Sequence, residues 1–298
     1  MSSSRAILKP TPSDTIVLSG GVFRVNDQEC STLILEEGGD SDWGARQNLS
    51  LDSYAVQHVA REIDPDSLAV YRLFGAYINA AAYKTQQERP LVLDVGCGIF
   101  PRLSPGLEQL DDRCQYVGLD PLPHNMERSY PFVCGRIEDL ASLSGFAPRF
   151  NLFVFGTSLD HLKELGSAAA AVRRLAAPGA LLVCWNGLQE PEKVVCSHGV
   201  KVFQTLVRYR SLLAAMFAYA GYGLIRLPRL LTRMRVRRDK IAKAEVIDHH
   251  FRWFTEANTL GYLSEFGDLI DMVVLPNTNN SFATVRIENS SVLYGLIK

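Results

Sequence analysis

Cysteine and tryptophan are scarce in this chain, 6 and 3 residues among 298. Cys30, Cys97, Cys114, Cys134, Cys184 and Cys196 form no CxxC pair, and Cys97, Cys134 and Cys184 sit in or beside apolar runs that read as strands. That spacing speaks against a disulfide framework and against a zinc site, and for reduced thiols in a cytoplasmic protein. Neither sign of charge is in excess. With 31 basic and 32 acidic residues the net charge is −1, so the whole molecule has no field that would favour nucleic acid. Long apolar runs are also missing. The longest uncharged stretch, Ser211 to Ile225, has 15 residues, where a membrane-spanning helix needs roughly 20. The first residues, MSSSRAILKPTPSD, contain no apolar core of signal-peptide length, which adds to the expectation of a cytoplasmic protein. There is no internal repeat.

What is present is an ordinary globular composition, 47% hydrophobic and 21% charged, in a chain long enough for one large core with an extension or an insert. Residues 1–14 are polar. Two short β-like runs follow, Thr15–Leu18 and Gly21–Val25, joined by a Ser19-Gly20-Gly21 turn signal. Asp64-Pro65-Asp66 reads as a helix start, and a helical period continues to about Tyr83. From residue 90, apolar runs at Pro90–Val95, Tyr116–Leu119, Phe132–Cys134, Leu152–Phe155 and Ala180–Trp185 alternate with helix-compatible stretches. One of these, alanine-rich, covers Ser167–Ala177 and stops at Pro178-Gly179. Continuous apolar strands between helices imply a parallel sheet covered on both faces. Met272–Leu275 and Phe282–Ile287 lie too close together for a crossover, so the sheet is expected to finish in an antiparallel hairpin. The expected fold is therefore α/β: a Rossmann-like, seven-stranded, mostly parallel sheet with an antiparallel terminal hairpin. Residues 1–88 form an N-terminal extension or lid with a helix, residues 89–298 the core, and about 188–250 a helical insert.

The strongest local signal is Leu91-Val92-Leu93-Asp94-Val95-Gly96-Cys97-Gly98. A buried strand runs into a glycine turn at the carboxyl edge of the sheet, where open α/β folds bind ligands. Asp94 is a poor core residue and can pair with a cationic amine. Asp120 ends the next strand, 26 positions on, where a carboxylate is placed to take ribose hydroxyls. The third strand leads into Gly135-Arg136-Ile137-Glu138-Asp139-Leu140, and the fourth into Gly156-Thr157-Ser158-Leu159-Asp160-His161. A dinucleotide fingerprint would need glycine at position 101, which is Pro101 here.

LDVGCG, GLDP, GRIEDL, SLDHL and LAAPGALLV, in that order, resemble the successive motifs of the class I S-adenosylmethionine-dependent methyltransferases, of the bacterial small-molecule type. The resemblance covers about residues 88–187, and FRWFT with the final hairpin extends it through 251–287. It implies S-adenosyl-L-methionine as cofactor. Asp94, Gly96 and Gly98 then hold the methionine part, Asp120 the ribose, and Ile137 with Glu138 the adenine. Cys97, Pro121 and Gly156 complete the implied cofactor set. Phe100 stands where the family often has a third glycine, and Arg136 where an acidic residue is frequent. The stretch Val17–Val25 with Asp42-Trp43-Gly44 is similar to leaders of bacterial methyltransferases that carry a zinc-ribbon-like segment, but the zinc cysteines are absent.

The expected reaction is metal-independent methyl transfer to a hydroxyl of a small, apolar or lipid-linked natural-product metabolite. Transfer to nitrogen or carbon, and a degenerate partner subunit without activity, are the alternatives. His161, His249 and His250 are the candidate bases, because an imidazole near neutrality can take a proton from a hydroxyl; for each, a passive capping or packing role stands beside the catalytic one. Asp42-Trp43 is either part of a lid or an anchor for the leader. In the insert, residues 202–231 are rich in Leu, Ala, Phe and Tyr, and their end runs into a basic series, Arg226, Arg229, Arg233, Arg235, Arg237, Arg238, Lys240 and Lys243. Three readings fit that pattern: a cap over the acceptor, peripheral membrane contact through 202–240, and a homodimer contact. The expected partner is a small-molecule acceptor, not a nucleic acid.

Overall fold

The computed structural model describes residues 6–35, 65–98, 107, 113–121, 128–188, 254–275 and 280–287. Apolar strands at the expected positions build the sheet. Leu91–Val95 (β6), Gln115–Asp120 (β7), Phe132–Cys134 (β8), Phe150–Gly156 (β9) and Ala176–Gly187 (β10) are parallel neighbours in the order β8-β7-β6-β9-β10. Gly267–Leu275 (β11) and Asn280–Ile287 (β12) form the antiparallel end, with β12 inserted between β10 and β11. The direction of strand addition reverses between β6 and β9. This reversal defines a doubly wound, Rossmann-like sheet and opens a crevice at the carboxyl ends of those two strands.

Alternate residues of each strand enter different halves of the core. Val92, Leu152, Val154 and Val183 pack on one face with Val70, Phe74 and Ile78 of the helix Pro65–Lys84 (α1). Leu93, Phe153, Phe155 and Leu182 pack on the other with the short helix Ile137–Ser142 (α2), the helix Leu165–Leu175 (α3) and Leu263 of the helix Glu256–Ser264 (α4). A sheet buried on both faces has to be apolar at every strand position, which is why β6 to β10 read as continuous apolar runs. In α3 the buried side chains are Leu165, Ala168, Ala169, Ala171, Val172 and Leu175. That is one apolar stripe at helical spacing. Thr255 caps α4 in a reciprocal box: its hydroxyl accepts from the Asn258 amide at 3.2 Å, and the Asn258 side chain accepts from the Thr255 amide at 2.7 Å. At the open end of the sheet, Tyr77 and Lys84 of α1 both bond Asp271 of β11.

Among the described residues the sheet has nine strands, two more than expected. Ile7–Leu8 (β1) and Thr32–Ile34 (β5) extend it beyond β8, all parallel. Between them Ile16–Ser19 (β2), Val22–Val25 (β3) and Gln28–Cys30 (β4) make a separate three-stranded antiparallel sheet. The described leader residues are therefore part of the core: Ile16, Phe23 and Leu33 are fully buried and pack with β7, β8 and α2. The alanine-rich helix also ends earlier than Pro178, at Leu175, and β10 starts at Ala176 with a register shift that takes up Pro178 and Gly179. Only a bulge lets proline and a glycine at φ +73° enter a central strand.

Asp42-Trp43, His249, His250 and the insert lie outside the described residues, save that the chain leaves at Leu188 and returns at Phe254, which are joined by a parallel bridge. No described helix is long and apolar enough to cross a membrane. The edge strand β11 leaves Leu269, Ile270, Val273 and Val274 about two-fifths exposed.

If the leader belongs to the core, Leu33→Ala removes packing from a site with no solvent exposure. The expected loss is about 2–5 kcal/mol of unfolding free energy, read from the denaturant midpoint. A leader that merely lay over the core would leave that midpoint unmoved.

Candidate cofactor-binding site

Four strand ends converge on the glycine turn. Gly96 and Gly98 have φ of +78° and +69°, the left-handed region that side chains avoid. A Cβ on Gly96 would also stand 2.5 Å from the Ser158 Cβ. The turn is pulled toward β7, because the Gly96 and Cys97 amides both donate to the Leu119 carbonyl, at 2.8 and 3.2 Å. The exit of β9 closes on it from the other side, where the Ser158 hydroxyl donates to the Val95 carbonyl. Thr157, between Gly156 and Ser158, has φ +58°. That is a strained value for a β-branched residue, held by its amide donating to the Trp185 carbonyl at 2.9 Å and its hydroxyl to the Gly156 carbonyl at 2.7 Å.

Asp94 and Asp120 are both 5% exposed. Asp120 accepts from the Gly98 amide at 2.9 Å, while its own carbonyl accepts from the Gly135 amide at 3.1 Å, so the exit of β8 is fixed to the same residue. Asp94 accepts from the Tyr116 hydroxyl at 2.5 Å. Burial pushes the Asp94 carboxyl up to about 7; Asp120 pushes in the same direction, while Tyr116 and Arg128 oppose it. Two carboxylates at close quarters out of water are costly. Arg128, also 5% exposed, stands beside them. The Cys97 thiol is buried on the Arg128 side, so of Cys97 it is the backbone that shapes the turn.

The other expected positions fall near this centre with different surroundings. Pro121 follows Asp120, and its carbonyl lies 4.0 Å from the Cys134 sulfur. Ile137 is 1% exposed and packs into the core, while Glu138 beside it is half-buried, its carboxyl held above the usual range by desolvation. Arg136 does not stand alone: its amide and side chain both donate to Asp139, at 3.2 and 3.3 Å. His161 ends a 3-10 turn, Leu159–His161, that follows β9; it is half-buried, with its Nε2 3.8 Å from a carboxylate oxygen of Asp160.

No protein-family model and no curated protein matches the chain. Solved structures similar to it include 1,6-didemethyltoxoflavin-N1-methyltransferase of Burkholderia thailandensis, bound to 1,6-didemethyltoxoflavin and S-adenosylhomocysteine. That protein is 12% identical, with 92% of this chain and 99% of that one covered and a TM-score of 0.48. The N-methyltransferase NodS of Bradyrhizobium japonicum, bound to S-adenosyl-L-homocysteine, is 12% identical, with 76% and 90% covered and a TM-score of 0.41. CurJ carbon methyltransferase is 16% identical, with 78% and 58% covered and a TM-score of 0.45. With identities this low, the site has to be understood from its own residues.

Four of those residues carry no distinctive signal in the sequence. Tyr116 reads as one more apolar strand residue, yet its hydroxyl is the partner of Asp94. Arg128 lies in an unpatterned connection, and Thr157 and Ser158 show their role only through backbone geometry.

Asp94 has a consequence for the apo protein. A carboxyl whose folded pKa is raised above its unfolded value contributes stability below the unfolded pKa and loses it as pH rises through the folded one. From about pH 4 to above pH 7 the protein should therefore lose stability relative to Asp94→Asn, measured as the difference between the two unfolding midpoints across that range. A constant difference would show that Asp94 is ionised throughout. In a separate test, Gly96→Ala should destabilise the fold, and Ser158→Gly should restore only part of the loss, because the contact is relieved while the positive φ remains.

Proposed function

We propose that the chain is an S-adenosylmethionine-dependent methyltransferase acting on a small molecule. The observation that carries this is the charge at the switch point: two buried carboxylates, Asp94 and Asp120, face one buried guanidinium, Arg128, beneath a glycine turn. Among the described residues these three side chains, with both acids ionised, are one positive charge short. A ligand bearing an ammonium and a sulfonium supplies it; a dinucleotide brings a pyrophosphate instead. The Gly98 amide, which a phosphate would need, is already given to Asp120. The residues present thus fit the cationic cofactor and disfavour the anionic one.

S-adenosylmethionine, when bound, supplies a methyl group on a sulfonium, already activated for in-line displacement. The protein's part is to bind, orient and exclude water. Gly96 and Gly98 let the backbone approach the amino-acid portion, Asp94 offers a counter-charge to its ammonium, and Asp120 is placed for the ribose. At the exit of β9, in the segment we take to meet the acceptor, His161 has its Nε2 3.8 Å from a carboxylate oxygen of Asp160. We infer an oxygen acceptor on that ground: a hydroxyl has to give up its proton as the methyl arrives, and His161 can receive it.

Calorimetry tests both the cofactor and its charge. Asp120→Ala should weaken S-adenosylmethionine and S-adenosylhomocysteine alike, by about 1.5–3 kcal/mol for each charged hydrogen bond lost, and NAD should give no heat. A cation favours ionised Asp94. Affinity for S-adenosylmethionine should therefore rise with pH up to about 7, by at most ~10-fold per unit, and then level off; Asp94→Asn should flatten that rise. Absence of any binding by the wild-type protein would remove the assignment.

A further inference from the structure

Arg128 lies in the connection between β7 and β8, outside every motif that marks the cofactor site, yet it is as deeply buried as the two carboxylates. One of its terminal nitrogens donates to the Gly98 carbonyl at 2.9 Å. The other donates to the Tyr130 hydroxyl at 2.5 Å and lies 3.7 Å from the Cys97 sulfur. The guanidinium carbon is 3.7 Å from the centre of the Phe132 ring and 5.6 Å from that of Tyr130, within reach of a cation–π interaction. Space for this arrangement comes from Gly118, since a Cβ there would come within 2.8 Å of both Tyr130 and Cys97. An apolar side chain of the same length would pack against Phe132 and Tyr130 without the cost of burying a charge. The charge therefore needs a reason beyond packing.

We propose that Arg128 is a positioning residue for the cofactor: it clamps the glycine turn through the Gly98 carbonyl, opposite the hold of Asp120 on the Gly98 amide, and is the counter-charge of the Asp94–Asp120 pair. The proposal rests on the cofactor reading given above. The clamp fixes where the turn stands before ligand arrives. The counter-charge sets how easily Asp94 ionises. Among the described residues, Asp94 is faced by Tyr116 and Asp120 from β7 and by Arg128 from the connection after it, with Cys97 and Tyr130 in the same buried network. Of these, Arg128 is the cation, and with it gone both Asp120 and desolvation push Asp94 toward its neutral form.

The test is S-adenosylmethionine binding by calorimetry from pH 5.5 to 8, with Arg128→Met and Arg128→Lys beside the wild-type protein and thermal melts as a check on folding. Arg128→Met, which keeps the packing length, should bind at least ~10-fold more weakly at pH 7, with the pH midpoint of binding moved upward. Arg128→Lys should return the midpoint toward wild type but leave the plateau affinity reduced, because an ammonium lacks the planar fork that holds Gly98 and Tyr130 together. If Arg128→Met does not fold, Arg128→Lys decides alone: a reduced plateau supports the clamp, and wild-type affinity at every pH overturns it. For Arg128→Met, an equal loss at all pH values with the midpoint unmoved makes Arg128 a structural anchor only and overturns the proposal. Failure of the wild-type protein to bind S-adenosylmethionine would refute the cofactor reading instead, and is recognisable because it precedes any comparison of variants.

Discussion

Gly98 is gripped through both of its backbone polar groups, the amide by Asp120 and the carbonyl by Arg128, and the rest of the site is arranged around that grip. A glycine turn with two left-handed residues has many conformations open to it, and a ligand would otherwise have to select one. Here selection is done in advance by side chains from the end of β7 and from the connection that follows. Those side chains are charged because backbone dipoles are held most firmly by full charges, and they are buried because the turn lies at the bottom of the crevice. Everything else follows: Tyr116 is needed to satisfy Asp94, Gly118 to admit Tyr130, and Ser158 to close the opposite side.

This construction concentrates unfavourable free energy in one place. Desolvated carboxylates, a β-branched residue at positive φ and a glycine turn packed against Ser158 would each be eliminated by selection for stability alone. They are tolerated because the sheet beneath is apolar on both faces and packed by helices from each side, so local cost is absorbed by a large cooperative core.

Much of this was readable in the chain and some was not, for physical reasons. Strands β6 to β10 announce themselves because burial on both faces makes them continuously apolar, and Asp94 and Asp120 stand out as acids where apolar residues are expected. Strands β1, β4 and β5 escape notice because each has only two or three residues, too few for any period. The Cys97 side chain lies on the Arg128 side of the turn, and Ile137, which the resemblance sets at the adenine, is 1% exposed. Arg128 is legible only in three dimensions. Its partner is thirty residues earlier in the chain, and a single arginine between two strands has no local pattern to betray it.

The leader strands carry an implication for biosynthesis. Thr32 pairs with Phe132 and Ile34 with Cys134, so β5 is made a hundred residues before the strand that completes its hydrogen bonds. During that interval the polypeptide emerging from the ribosome carries a strand with β1 available on one side and no neighbour yet on the other. Closing so long a loop is slow for a chain of this topology, and the doubly wound centre can assemble first, with the leader docking onto the exposed side of β8 as a late event. A tag or fusion placed ahead of residue 6 would therefore act on that docking step.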